Sequence, residues 1–194
     1  METVELVERE VDFAKLDELI RKEIPYGREV RDELHALNAE IDLTQLHCAD
    51  QVNLNRTMRS IGSLGGGNHF IEVDRSEDGR LFLVVHSGSR HLGTEVAEYY
   101  QNEGRRALWG GAKYQIQKVI AQLKAEGRFQ EIQKTIKALK KEHSLNIPKD
   151  LAYVEGKLFE DYIHDMKLTQ QFAMLNRKAM VDVIMKGMGF TAVE

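Results

Sequence analysis

The chain has one cysteine, Cys48, and two prolines, Pro25 and Pro148, in 194 residues. A single thiol excludes an internal disulfide and fits a reducing compartment. No apolar run approaches the roughly 20 residues needed to cross a bilayer, and charges are spread through residues 1–25. Neither a leader nor a membrane anchor is therefore expected, and the cytoplasm is the expected location. There is no internal repeat, no low-complexity tract and no linker-like stretch, so residues 1–194 read as a single unit. A net charge of -4 argues against a general coating of nucleic acid, while leaving room for a local basic groove.

Against that plain background two short islands carry most of the chemistry, Gly65-Gly66-Gly67-Asn68-His69-Phe70-Ile71-Glu72-Val73 and His86-Ser87-Gly88-Ser89-Arg90. Each sets one histidine beside glycines that free the backbone, and the second adds two hydroxyls and an arginine just ahead of a helix. Imidazole nitrogen is a metal ligand, and an arginine fork beside the free N–H groups of a helix start suits a phosphate. A lone histidine in a strand is more often structural, and a glycine run can be no more than a tight strand entry. The repetition of histidine, glycine and polar neighbours in both islands is what turns the reading toward a site holding a metal ion and a phosphate. Cys48 in Leu46-His47-Cys48-Ala49-Asp50 has no standard ligand spacing with His47 and Asp50, and reads as a small buried residue. Lysines 134, 137, 140 and 141 read as a wet helix face rather than an RNA track.

The pattern along the chain is α+β with helix dominant: a β-hairpin or small sheet carrying the site, and several long helices. Phe13, Leu16, Leu19 and Ile20 fall at helical spacing and stop at Ile24-Pro25-Tyr26-Gly27. Residues 29–58 are expected to be helical as well. Thr94 is the expected N-cap of the next helix, with glycines 110, 111 and 127 separating the segments that follow. A last helix carries Phe159, Tyr162, Ile163, Met166, Phe172 and Leu175. His35, His47, His143 and His164 fall in expected helices or at their ends, where ordinary roles suffice.

The Asp78-Gly79 pair predicts a hairpin of about residues 68–75 and 80–86. A two-residue turn sets Ile71 opposite His86 and leaves His69 on the same face, its Cβ about 7 Å away on the diagonal. That spacing suits one imidazole for each of two ions about 3.5–4 Å apart. A three-residue loop would flip one strand and separate the pair. The same alternation turns Asn68 and Glu72 away from His69 unless the strand begins after the glycines or bulges there.

The stretch Ile61-Gly62-Ser63-Leu64-Gly65-Gly66-Gly67-Asn68-His69-Phe70-Ile71-Glu72-Val73, followed by His86-Ser87-Gly88-Ser89-Arg90-His91-Leu92-Gly93, resembles the RtcB family of GTP- and manganese-dependent RNA-splicing ligases. Ile24-Pro25-Tyr26-Gly27, Tyr162-Ile163-His164-Asp165-Met166 and Ala173-Met174-Leu175-Asn176-Arg177 extend the likeness over most of the chain. The resemblance implies part of an RtcB-type fold, with two Mn²⁺ ions of which His69 ligates one and His86 the other. It implies Asn68 against the nucleotide phosphates and metal, Glu72 on the guanine edge, and Arg90 on the phosphate-binding surface. It implies as partners RNA ends, a 2′,3′-cyclic phosphate or 3′-phosphate joined to a 5′-hydroxyl, with GTP consumed through a guanylylated histidine and an RNA–GMP intermediate. The family's Asp-x-Gly-Cys-Gly-Met motif, a further metal-binding histidine and the guanylylated histidine have no counterpart in these residues. The expectation is therefore an internal, central piece of the ligase, inactive by itself, with no catalytic residue of its own identified. His91 stands where many members have glycine. Two other readings stay open: a non-catalytic RNA- or nucleotide-phosphate-binding module, and a helix-rich interaction protein whose histidines hold a structural metal.

Overall fold

The computed structural model describes residues 1–142 and 148–193, so His143 lies outside the described residues. Where residues 1–194 read as a single unit from composition, the chain forms two compact units, Met1–Val96 with Tyr162–Glu194, and Ala97–Asp161. Both boundaries fall inside helices, α3 (His91–Ala125) and α5 (Gly156–Met188), which is why no linker composition marks them. Among the described residues no helix is long and apolar enough to cross a membrane.

The first unit is built on a three-stranded antiparallel sheet in the order β1 (Glu2–Leu6), β3 (Leu81–His86), β2 (Phe70–Arg75). Strand β3 is central, and its alternate residues Leu81, Leu83 and Val85 are buried together with Leu6 of β1. Leu16 of α1 (Phe13–Glu23) and Met180, Val181 and Ile184 of α5 complete that core. Asp12 starts α1 by accepting the Lys15 N–H at 3.0 Å, as a short acceptor at an N-cap does.

Residues 29–58 depart from expectation. They are short 3₁₀ turns at Ala36–Glu40, Leu43–Gln45 and Ala49–Gln51, with one brief helix, α2 (Leu54–Arg59). Polar side chains recapture the backbone locally and stop longer helices: His35 Nδ1 accepts from Leu37 N, Asp42 from Thr44 N and Asn53 from Arg56 N. Of the helix-assigned histidines, His164 is in α5, whereas His35 caps a turn and His47 lies between two turns.

The second unit contains the rest of α3, then α4 (Ile132–Glu142) and the first residues of α5. Gly110 and Gly111 do not break α3, which runs through both. Each glycine inside a helix costs about 1 kcal/mol relative to alanine, too little to stop a 35-residue helix. Lys134, Lys137 and Lys141 are exposed, in keeping with a wet face.

Candidate functional site

The site is assembled from loops, and buried side chains do the assembling. Leu64 N donates to Pro25 O and Gly27 N to Gly65 O, both at 2.8 Å, so the Pro25-Tyr26-Gly27 turn runs beside the glycine loop. Arg31 donates from Nε to Ile61 O and from Nη2 to Gly62 O, each at 3.0 Å. Asn176 on α5, 0% exposed, uses both ends of its amide. Its Oδ1 accepts from Gly62 N at 2.8 Å and Ser63 N at 3.1 Å, and its Nδ2 donates to Ser87 Oγ at 3.2 Å and Gly88 O at 3.0 Å. One amide thus joins the loop before the first histidine to the loop after the second.

The hairpin turn is not the two-residue one. Gly79 N donates to Ser76 O and Ser76 N to Arg80 O, leaving Glu77, Asp78 and Gly79 as a three-residue loop with Gly79 at φ +84. The register moves by one residue: Phe70, not Ile71, faces His86, and Ile71 faces Val85. A one-residue shift exchanges the faces of every strand residue, and it ought to have parted the histidines. They stay together, ring centroids 5.9 Å apart and edge to face, because β2 begins only at Phe70. His69 precedes the strand, so alternation does not bind it.

His69 Nδ1 lies 2.8 Å from Leu64 O and donates to it, which fixes the tautomer and leaves Nε2 with its lone pair. A Cβ built on Gly88 would lie 3.8 Å from that Nε2, in contact with it. Burial pushes the His69 pKa below the usual histidine value; the Leu64 carbonyl works against this, and the Arg90 and His86 charges add to it. An imidazole oriented through Nδ1, its charged form disfavoured by burial, can act as a metal ligand through Nε2. The second imidazole, His86, ends β3 half-buried and packs on Phe70 with centroids 5.2 Å apart.

The lowered His69 value makes a pH prediction. With the folded value below the 6.5 of the free residue, the unfolded chain takes up its proton first as acid is added. The contribution to stability is therefore complete above about pH 6.5 and is lost as the pH falls from there through the folded value. His35 shifts the same way, chiefly by burial. Thermal unfolding between pH 8 and 5 should show the midpoint falling below about 6.5, less steeply in His69→Asn. An identical slope in the variant would assign the fall to other groups.

Asn68 is exposed beside Gly67, and Glu72 is exposed on the outer face of the hairpin opposite Val84. Glu72 shares that face with Phe70 and His86, bordering a shallow hollow lined also by Met1, Thr3 and Phe82. Among the described residues Arg90 is the non-glycine residue at positive φ, +57, and it is half-buried. Nε donates to Ser63 Oγ at 3.0 Å and Nη2 to Gly27 O at 2.8 Å, so part of the fork is spent on holding the loops. Burial lowers its pKa, with the Arg56 charge adding to the effect. Arg90, Arg28 and Arg56 border a cavity of about 460 Å³ whose wall also includes His91, Thr94 and Glu95. Three guanidinium side chains against one carboxylate make it a place for an anion.

Helix α3 begins at His91, three residues before the expected Thr94. Ser89 Oγ accepts the Gly93 N–H at 3.1 Å and so caps the helix early. His91 therefore occupies the first turn, largely exposed, with Nε2 3.9 Å from Glu95. Cys48 is buried, and burial together with the Asp165 carboxylate pushes its thiol up to about 12, a structural cysteine rather than a thiolate ligand. Sequence reasoning missed the assembling residues Arg31 and Asn176. Asn176 was hinted at by the family-like stretch that contains it, and Arg31 by nothing.

The sequence profile described as "tRNA-splicing ligase RtcB" matches residues 7–192. The RNA-splicing ligase RtcB of Escherichia coli K12 is 28% identical over 190 residues, covering 88% of this chain and 39% of that protein. The tRNA-splicing ligase RtcB of Pyrococcus horikoshii is 37% identical over 70 residues, 29% of this chain and 8% of that protein. The chain thus spans 39% of the length of the Escherichia coli relative it matches.

Proposed function

The chain belongs to the RtcB family of tRNA-splicing ligases, and on that premise we propose that its first unit forms the metal- and phosphate-binding part of an RNA ligase site. The reaction is the joining of an RNA 2′,3′-cyclic phosphate or 3′-phosphate end to a 5′-hydroxyl end, with GTP activating the phosphate end. The observation that carries the reading is the convergence of His69 and His86, rings 5.9 Å apart, in loops tied together by Asn176. An arginine-lined cavity formed by the continuation of the same loops supports it.

The roles follow from chemistry. His69 through Nε2 and His86 through its ring each offer a nitrogen to one of two Mn²⁺ ions. Manganese, when bound, neutralises phosphate charge and lowers the pKa of the attacking group. Asn68, exposed at the lip of the glycine loop, hydrogen-bonds to nucleotide phosphate. Glu72 offers carboxylate oxygens to the N–H donors of a guanine edge from the outer face of the sheet. Arg90 stabilises the phosphate directly and, through Ser63 and Gly27, keeps the loops at a fixed spacing. Arg28 and Arg56 extend the positive wall along the RNA backbone.

Titration with Mn²⁺, followed by paramagnetic broadening of the imidazole resonances, tests this. Both His69 and His86 should broaden first, and the double variant His69→Ala, His86→Ala should bind about 10- to 100-fold more weakly or not at all. Unchanged Mn²⁺ binding in the double variant would overturn the assignment. A non-catalytic RNA-phosphate-binding module is the second reading, favoured by the three arginines of one cavity. On that reading RNA binding persists unchanged in the double variant and no ligase polypeptide containing this segment depends on the two histidines.

A further inference from the structure

A second group of ligand atoms lies in the first unit and shares no residue with the site above. Asp165 on α5 is 0% exposed, and its carboxylate faces the turn that carries His47. Oδ1 accepts from His47 N at 2.9 Å and Oδ2 from Cys48 N at 3.1 Å, so the turn is pinned to the helix by its own backbone. Those two bonds account for a buried carboxylate as a structural pin. They do not account for the two imidazoles gathered at its mouth. His164 places Nδ1 3.1 Å from Asp165 Oδ1, and its ring lies against His47 with centroids 4.7 Å apart and planes tilted by 55°. One ligand atom from each of the three residues falls within 4.8 Å of the others.

We propose that His47, His164 and Asp165 form a binding site for a divalent transition-metal ion of the zinc class. Two imidazole nitrogens and a carboxylate oxygen are the donors borderline ions prefer, and the order of affinity places Mn²⁺ behind Zn²⁺ and Co²⁺ at such a set. Bonds of about 2.0–2.2 Å around a tetrahedral ion hold ligand atoms about 3.3–3.5 Å apart. With the ligand atoms within 4.8 Å of one another, binding requires them to close by at most about 1.5 Å, which rotation of the exposed His47 ring and the half-exposed His164 ring supplies. A carboxylate has about four acceptor sites; the two N–H groups take two, and the side-chain contacts from His164 and Cys48 would give way to the ion, so binding it does not require the turn to be released. The third protein donor leaves a position on the solvent side, open to water or to an external ligand. An ion there fastens residues 46–48 to α5, the helix whose Asn176 spans the loops of the main site.

The test uses the whole chain in which His69→Ala and His86→Ala have removed the other imidazole pair. Co²⁺ added to this protein should develop the visible d–d absorption of a four-coordinate ion, and Zn²⁺ should abolish it. Adding His47→Ala or His164→Ala should weaken Co²⁺ binding about 10-fold or more, while far-UV circular dichroism stays unchanged. Either variant leaves the Asp165 pin intact, because the bonds to it come from the backbone of residues 47 and 48. Absence of the Co²⁺ band in the parent, or a band that persists when both His47 and His164 are replaced, would overturn the proposal.

Discussion

Replacing Asn176 by alanine should cost about 3–5 kcal/mol of folding stability, a loss of the size reserved for breaking a buried polar network. Gly62 N–H and Ser63 N–H lose their acceptor in a region closed to water, at about 1–3 kcal/mol for each orphaned donor. Ser87 and Gly88 lose their donor at the same time, although Ser87 keeps its bond to Leu64 O. Urea denaturation measures the effect, with an unchanged m-value confirming that the folded state itself has been weakened. The substitution should also loosen the histidine pair, because Asn176 joins residues 62–63 to residues 87–88. Asn176→Asp keeps the acceptor for both N–H groups but loses both donors, and so separates the two halves of the clamp. Lys178→Ala on the same helix removes only an exposed pair with Asp182 and should move stability by less than about 1 kcal/mol. An Asn176→Ala loss no larger than that of Lys178→Ala would show that the loops are held by something else.

What the sequence disclosed, and where it stopped, follows the range of the forces involved. The histidine and glycine islands were legible because their chemistry is written in adjacent residues, and the α+β class was legible from the change of period after Gly93. The hairpin was legible as a hairpin, but its register was not. Asp78-Gly79 signals a tight two-residue turn, whereas Gly79 at φ +84 closes a three-residue loop, a choice that one dipeptide does not determine. The histidine pair survived the shift only because the strand starts one residue after His69. Residues 29–58 read as helix, while His35, Asp42 and Asn53 bond to their own backbone and hold short turns instead. Asn176 and Asp165 were beyond reach for a different reason. The backbone groups they hold lie 88 to 118 residues away along the chain, and no local pattern encodes a bond of that span.

Three consecutive glycines should give three different answers to the same substitution. Gly65 sits at φ +92, and a Cβ built there would lie 1.8 Å from Arg90 Nη1 and 2.6 Å from His69 Nδ1. An alanine at 65 therefore meets both the backbone cost of the left-handed region, about 1–2 kcal/mol, and the displacement of two packed side chains, about 1–3 kcal/mol more. Gly66 has ordinary φ and its nearest neighbour is Gly27 Cα at 3.9 Å, so Gly66→Ala should be neutral to within about 0.5 kcal/mol. Gly67 has φ +75 but nothing within 4 Å, so Gly67→Ala should carry the backbone cost alone, about 1–2 kcal/mol. The difference between the first and third variants isolates the close approach of Arg90 and His69 to the loop. Only Gly65→Ala should also abolish the Mn²⁺ broadening of His69, because its methyl group drives Nδ1 from the Leu64 carbonyl that orients the ring. Thermal unfolding and the Mn²⁺ titration on the three variants decide the matter. Equal stability losses at 65 and 67, with metal binding intact in both, would mean that the glycine loop serves the chain turn and not the site.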